Sequence, residues 1–267
     1  MRFSVIIPTW NEGPRIARAL KRLREISDEA RMEIILVDGG STDKTVAAAR
    51  DWADQLLVQE KPNRGAQLHA GARVATGDLL FFLHADTQPP GRWQEHLEKA
   101  WLGAQKEPLA ATVFSIDYGP GATYRLVAAG QNWRARWLGL AYGAQGICVS
   151  HEVYAKSGGF PEIPLMEDVE FCRRLSKLGR IVVLPDLIRP AVTRLQRSGP
   201  LANMLFNQWI LLRHALGADP AALWERYYKR DNQEPVPAPP PPRHPEKHPF
   251  AYLRRKRKLP SHDPKVP

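Results

Sequence analysis

The sequence predicts an α/β protein: a mostly parallel central sheet with helices on both faces, ending in a disordered tail. Three observations carry that expectation. Compact apolar runs recur through the first hundred residues, too short for helices and too uniformly apolar for half-exposed strands. Segments with apolar residues at helical spacing separate them, the alternation of a parallel sheet with crossover helices. Beyond Asp231 prolines crowd, with Pro239 to Pro242 consecutive, and such a stretch supports neither helix nor sheet. The expected division is a folded domain over residues 1–230 and a Pro-rich, basic, disordered tail over 231–267.

Each element follows from its own residues. Phe3 to Ile7 is a β-branched run ended by Pro8 and reads as a buried strand. Pro14 opens a helix with Ile16, Leu20 and Leu23 on one face. Glu33 to Val37 is a second strand. Ser41 is placed to cap a helix carrying Val46, Ala49 and Trp52. Leu56 to Val58 is a third strand, Gly65 to Ala75 a helix closed by Gly77, and Leu79 to Leu83 a fourth strand. Further on, Ala111 to Ile116 and Gly146 to Ser150 read as strands, and Tyr124 to Leu138 as an aromatic-rich helix. A helix begins near His151, and another, over Glu167 to Leu178, carries Val169, Cys172, Leu175 and Leu178 in register. Leu201, Leu205, Trp209, Leu212 and Leu216 mark one face of a late helix. Core packing is the ordinary explanation of that stripe, and contact with a membrane surface is the alternative.

Bulk properties bound the function loosely. A chain of 267 residues supports one large domain with a buried core, and 43% hydrophobic with 25% charged residues selects no class. The formal charge of +10 suits an anionic ligand or surface, although a solvated basic exterior accounts for it equally well. Part of it is the run Arg254 to Lys258. Two cysteines, Cys148 and Cys172, make neither a disulfide framework nor a zinc site. The apolar run near Met1 is too short for a secretory signal, and the longest apolar stretches fall far short of the ~20 residues that span a bilayer. A cytoplasmic location is expected, with peripheral attachment to the inner face of an anionic membrane through the basic tail.

Ligands of open α/β sheets bind beyond the carboxyl ends of the strands. The segments there are residues 8–12, 38–43, 63–67 and 84–87, all polar or glycine-rich. Asp86 follows a buried strand, which would set a carboxylate on the floor of a cleft where a hard divalent cation could share it with substrate phosphates. A lone Asp there equally suits a helix cap. Val37 to Asp43 offers an acid, two glycines and a helix start, a combination that can bind a nucleoside while backbone N–H groups face an anion, or that can be only a turn. Glu167 and Asp168 open a helix, where carboxylates gain from the dipole; one facing the cleft could serve as a general base.

Taken together, VIIPTWNE, VDGGSTD, RGAQLHAG, FLHADT and GGFPEIPLMEDVEFCRRL occur in the order found in family 2 glycosyltransferases of the GT-A fold. The chain resembles that family over residues 1 to 228, and within it is most similar to the short bacterial radical-SAM/selenodomain-associated transferases. The resemblance implies a GT-A-type nucleotide-binding fold and inverting transfer from a UDP- or GDP-sugar to a hydroxyl acceptor that the sequence does not identify. It implies that Pro8, Glu12 and Asp38 contact the nucleoside and that Arg64 and Gly65 form the donor-side loop. Asp86 matches the last carboxylate of the DxD motif, which binds Mn²⁺ or Mg²⁺ through the diphosphate. Asp168 matches the catalytic base, with Glu167 beside it, and Arg194 or Arg197 could fold over the phosphates. Two departures stand out: His84 replaces the first DxD acid, and Ala144 occupies a position that often carries an acid.

Three other readings compete. A dehalogenase-type phosphatase would need an aspartyl nucleophile where this chain has His84. A sugar-phosphate nucleotidyltransferase would open with a glycine-rich, Arg-bearing loop in place of Pro8-Thr9-Trp10-Asn11. A catalytically silent nucleotide-sugar or membrane-surface binder would act through the tail. Nucleic acid is not an expected partner.

Overall fold

The uniformly apolar runs do become the centre of a sheet. The computed structural model describes residues 1–104, 108–229 and 251–254. Its first half contains β1 (Phe3–Thr9), α1 (Pro14–Glu25), β2 (Met32–Asp38), α2 (Thr45–Ala49), β3 (Gln55–Val58), α3 (Arg64–Val74) and β4 (Leu79–Phe82). β1 pairs in parallel with β2 on one side and β4 on the other, and β2 pairs in parallel with β3. The chain therefore leaves β1 in one direction and returns on its other side, which makes the carboxyl ends of β1 and β4 the switch point of the sheet.

The second half adds β5 (Thr87–Gln88), α4 (Trp93–Gly103), β6 (Leu109–Ile116), α5 (Ala122–Leu138), β7 (Ile147–Ser150), α6 (His151–Ser157) and α7 (Glu167–Leu175). β8 (Arg180–Pro190), α8 (Thr193–Ser198), α9 (Pro200–Ala215), α10 (Pro220–Lys229) and β9 (Ala251–Arg254) follow. The sheet order is β5-β8-β6-β7-β4-β1-β2-β3-β9. β7 runs antiparallel between β4 and β6, and β8 is parallel to β6.

Alternate residues of β1 serve opposite faces. Phe3, Val5 and Ile7 pack with Ile16 and Leu20 of α1 and Trp93 of α4. Ile6 packs with Leu68 of α3 and Phe171 of α7. Each large side chain so buried contributes about 1.5–3 kcal/mol. Helix α3 lies close against the sheet: a Cβ on Gly71 would stand 2.5 Å from Ile6 Cγ2. At the amino end of the sheet, buried Glu33 accepts hydrogen bonds from Ser4 Oγ at 2.6 Å, Thr76 N at 2.6 Å and Gln55 Nε2 at 3.0 Å. These tie β1, β2, β3 and the turn before β4 together.

Four expectations are corrected. Ser41 caps no helix: α2 starts after Lys44 without a side-chain cap, and Ser41 Oγ donates to Asp38 instead. The helix expected to reach Leu178 ends at Leu175: the backbone tightens there, with Lys177 N donating to the Arg174 carbonyl and Leu178 N to the Leu175 carbonyl, and Gly179 then packs against Pro108, whose carbonyl oxygen would lie 2.4 Å from an added Cβ. The stripe on α9 faces outward rather than into the core, with Leu205 64% and Leu216 73% exposed. Finally, Ala251–Arg254 does form a strand, antiparallel to β3, so the expectation of no sheet in the tail fails there. The other tail residues lie outside the described residues. No helix among the described residues is long and apolar enough to cross a membrane.

Candidate active site

The loops after β1 and β2 form one side of the switch-point crevice. Asp38, wholly buried, ends β2 beside Thr9. Its carboxylate accepts hydrogen bonds from Ser41 N at 2.7 Å, Ser41 Oγ at 2.5 Å and Thr9 Oγ1 at 3.4 Å. The acid expected to contact a nucleoside thus organises the Gly39–Ser41 turn. Gly40 has φ 77°, and a Cβ there would sit 2.6 Å from the Glu60 carbonyl oxygen, so the turn requires glycine. Asn11, at φ 52°, links the loops by donating from its N–H to Ser41 Oγ and accepting from Thr42 N. Pro8 is buried in β1. Glu12 is half-buried; burial raises its pKa, Arg15 opposes that, and the Asp86 and Asp43 carboxylates add to the rise. Asp43 and Asp86 therefore stand close enough to Glu12, at the mouth of the crevice, to raise it.

β4 delivers His84 and Asp86 to the same edge. Asp86 is exposed, and its carboxylate accepts only from Thr87 Oγ1, at 3.3 Å, among the described residues. Its carbonyl oxygen accepts from Ala191 N at 3.0 Å, which anchors the loop to the end of β8. His84 turns inward. Burial, with the nearby Arg64 and Arg194 cations, pushes its pKa down to about 3, so the ring is neutral. It packs on Gly143 so closely that a Cβ there would lie 2.4 Å from His84 Nε2.

Gly143 connects His84 to Asp168. Its N–H donates to Asp168 Oδ2 at 2.9 Å, while Val169 N donates to Oδ1 at 2.8 Å. Asp168 is buried in the first turn of α7, and Met166 before the helix adopts φ 68°. Next to it Glu167, fully buried, forms an ion pair with Arg64 of α3. Burial pushes Glu167 above the usual carboxylate range, Arg64 pulls it back, and Asp168 raises it again. Gly65 has no room for a side chain, since a Cβ would fall 2.1 Å from the Pro161 carbonyl oxygen. Its observed role is to let α3 approach the segment before α7.

Expected residues thus fall into two neighbouring groups. Pro8, Glu12 and Asp38 gather at the β1–β2 loops, with Asp86 electrostatically coupled to Glu12. Arg64, Glu167 and Asp168 gather across the crevice, and His84 against Gly143 joins that side. Three participants carried no sequence signal. Arg134 of α5 is buried, donates from Nε to the Leu140 carbonyl, and lies 3.4 Å from the centroid of the Tyr142 ring, one residue before Gly143. Arg194 lies 4.5 Å from the centroid of the Tyr227 ring and hydrogen-bonds its hydroxyl. Only the folded contacts, Arg134 on Tyr142 and Arg194 on Tyr227, identify Arg134, Tyr142 and Tyr227. Arg197 is exposed on α8. Ala144, where an acid often stands, packs against the apolar core.

The family model described as glycosyl transferase family 2 matches residues 4–158. The probable glycosyltransferase YdaM of Bacillus subtilis is 22% identical over 67% of this chain and 47% of its own length. The uncharacterized glycosyltransferase YaiP of Escherichia coli is 36% identical over 32% of this chain and 22% of its own length. The chain therefore matches less than half the length of these relatives. The fold resembles the Pyrobaculum calidifontis mannosyltransferase PcManGT in complex with GDP-Man and Mn²⁺, with TM-score 0.56, 22% identity and coverage of 87% of this chain and 81% of that one. It also resembles glucosyl-3-phosphoglycerate synthase from Mycobacterium tuberculosis in complex with Mn²⁺, UDP and glucosyl-3-phosphoglycerate, with TM-score 0.54, 20% identity and coverage of 81% and 80%.

Proposed function

The chain belongs to glycosyltransferase family 2, and from that premise we propose that it transfers a sugar, with inversion, from a nucleotide-diphosphate donor to a hydroxyl acceptor. The observation that carries this reading is Asp168: a buried carboxylate fixed by Gly143 N–H, joined through His84 to the loop after β4 that carries Asp86. Asp168 Oδ2 takes the acceptor proton as the hydroxyl oxygen attacks the anomeric carbon from the face opposite the leaving diphosphate. The Glu167–Arg64 pair keeps a second carboxylate beside Asp168 out of the reaction and holds α3 against α7. The donor's nucleoside is received by the Pro8–Glu12 and Asp38–Asp43 loops, with a UDP- or GDP-sugar as donor class. Gly65 and Arg64 border the donor side.

Asp86 suits a divalent cation, Mn²⁺ or Mg²⁺, because it is an exposed carboxylate without a basic partner among the described residues. No group of three metal-ligating side chains stands among those residues, so the diphosphate oxygens would complete the shell. When bound, the cation would neutralise charge on the leaving diphosphate. The neutral, inward-packed His84 contributes to the wall of the site. Within the family, the resemblance of residues 1 to 228 as a whole is the support for a place in the radical-SAM/selenodomain-associated group. A cytoplasmic location, with the run Arg254 to Lys258 attracted to an anionic membrane, completes the reading.

A thermal-shift screen of UDP-, GDP- and dTDP-sugars with and without Mn²⁺ identifies the donor. In the Asp168→Asn variant, sugar transfer should fall at least ~10²-fold while donor-induced stabilisation persists. Full transfer by that variant would remove Asp168 from the mechanism, and release of pyrophosphate instead of nucleoside diphosphate would indicate nucleotidyl transfer.

A further inference from the structure

Two helices beside the Asp168 side of the crevice carry apolar faces that none of the described residues covers. On α5, Leu126, Trp133 and Trp137 follow helical spacing and are each more than half exposed. On α9, Leu205 and Leu212 do the same, and Leu216 at its C-cap extends the row. The two helices pack on each other, so the exposed stripes lie on adjoining elements. Surface apolar side chains scattered singly are ordinary; two rows on neighbouring helices, including two tryptophans, are not.

Charge distinguishes the partner. α5, α8 and α9 contain no Asp or Glu. Their exposed ionic side chains are Arg125 and Arg136 on α5, Arg197 on α8 and Arg213 on α9. Arg226 of α10 adds a guanidinium 5.6 Å from the Trp209 ring centroid. A band of exposed Trp and Leu edged mostly by cations, with Asp219 and Glu225 as exposed acids at its α10 end, complements an anionic bilayer interface, where Trp rings lie at headgroup depth and Arg meets phosphate. The same cations would face each other if two copies met through this surface, and that repulsion argues against a homodimer. Neither helix has the length or apolarity to cross a bilayer, so contact is parallel to the surface.

We propose that the outer face of α5 and α9 is a bilayer-docking surface for anionic lipid. Its inner side touches the candidate site. Arg134 of α5 lies against Tyr142 beside Gly143, and Ile210 of α9 packs with Leu165, Met166 and Val169 around Asp168. Docking therefore sets the membrane-bound helices directly against the elements that hold Asp168. The surface is made of other residues than the run Arg254 to Lys258, and the proposal does not depend on that run.

Flotation of the full chain with phosphatidylglycerol-containing vesicles tests this, with phosphatidylcholine vesicles for comparison. Salt screens attraction through the tail but not apolar insertion, so native binding should weaken at high salt and persist in part. Trp133→Ser combined with Trp137→Ser should lower the vesicle-binding constant about tenfold or more and abolish the salt-resistant part. Leu205→Ser combined with Leu212→Ser, on the other helix, should do the same. All four side chains are exposed, so the melting temperature and donor-induced stabilisation should match those of the native chain. Absence of vesicle binding by the native chain, or unchanged salt-resistant binding in both double variants, overturns the proposal. So does a native dimer that both variants convert to monomer, which assigns the face to a second copy. Vesicle binding without any donor-induced stabilisation would instead count against the transferase reading and leave the docking surface standing.

Discussion

Removing Arg64 tests how the candidate site keeps two adjacent carboxylates buried. Glu167 has no exposed surface, its Oε1 pairs with Arg64, and its Oε2 has no partner among the described residues. Breaking a buried ion pair by deleting one partner costs roughly 3–5 kcal/mol, because the remaining charge is left uncompensated. Arg64 keeps 34% of its side chain exposed, so part of that penalty is screened, and Arg64→Met should cost about 2–4 kcal/mol near neutral pH. The pH dependence gives a sharper signature. Burial first, and Asp168 in addition, hold Glu167 above the ordinary carboxylate range against the pull of Arg64. Without Arg64 its folded pKa rises further, so the folded variant binds that proton more tightly than the unfolded chain. The sign follows: the destabilisation is small at acid pH and grows as pH rises through the unfolded carboxylate value toward the folded one, by up to ~1.4 kcal/mol per pH unit. Urea unfolding of the native chain, Arg64→Met, Glu167→Leu and the double variant at several pH values measures this. Glu167→Leu leaves a partly exposed Arg64 that can reach water, so the double variant should resemble it and the cycle should give a coupling equal to the Arg64→Met penalty, about 2–4 kcal/mol. Additive losses, or an Arg64→Met penalty that shrinks as pH rises, would refute this account.

Other substitutions probe the frame of the site. Gly65→Ala drives a Cβ into the Pro161 carbonyl and should cost about 1–3 kcal/mol in urea unfolding; an unchanged midpoint would show that α3 and the segment before α7 are not tightly apposed. Gly143→Ala meets His84 Nε2 and disturbs the donor to Asp168, so kcat should drop about 10- to 100-fold with donor-induced stabilisation intact, as measured by transfer and thermal-shift assays. Burial raises the pKa of Glu33, but hydrogen bonds from Ser4, Thr76 and Gln55 outweigh it and leave the group depressed. Its contribution to stability is therefore present above the unfolded carboxylate pKa and lost as pH falls through the folded one; Glu33→Gln should cost about 1–3 kcal/mol near neutral pH and flatten the acid limb of the stability curve.

What the sequence could reveal depended on how local the cause was. β1, β2 and β4 were legible because a parallel strand covered on both faces has to be apolar throughout, and the loops at their carboxyl ends follow from topology. β8 was not, since its outer residues alternate irregularly between exposed and part-buried and it contains two prolines. The pairing of Arg64 with Glu167 spans 103 positions and leaves no periodic trace. Ser41 illustrates the opposite error: a local rule assigned it to a cap, while a deeper partner, Asp38, bound it first. The α9 stripe is the most instructive miss. Its spacing correctly gave one apolar face, yet periodicity cannot say which side of the helix meets the core. The inner side, with Phe206, Ile210 and Leu211, is apolar too and satisfies the core contacts with Trp224 and Leu223 of α10. A helix apolar on both sides, with arginine and histidine as its only ionisable side chains, is incompletely buried by a single domain. The outward row of Leu205, Leu212 and Leu216 therefore points beyond the fold, toward a second apolar environment bordered by negative charge.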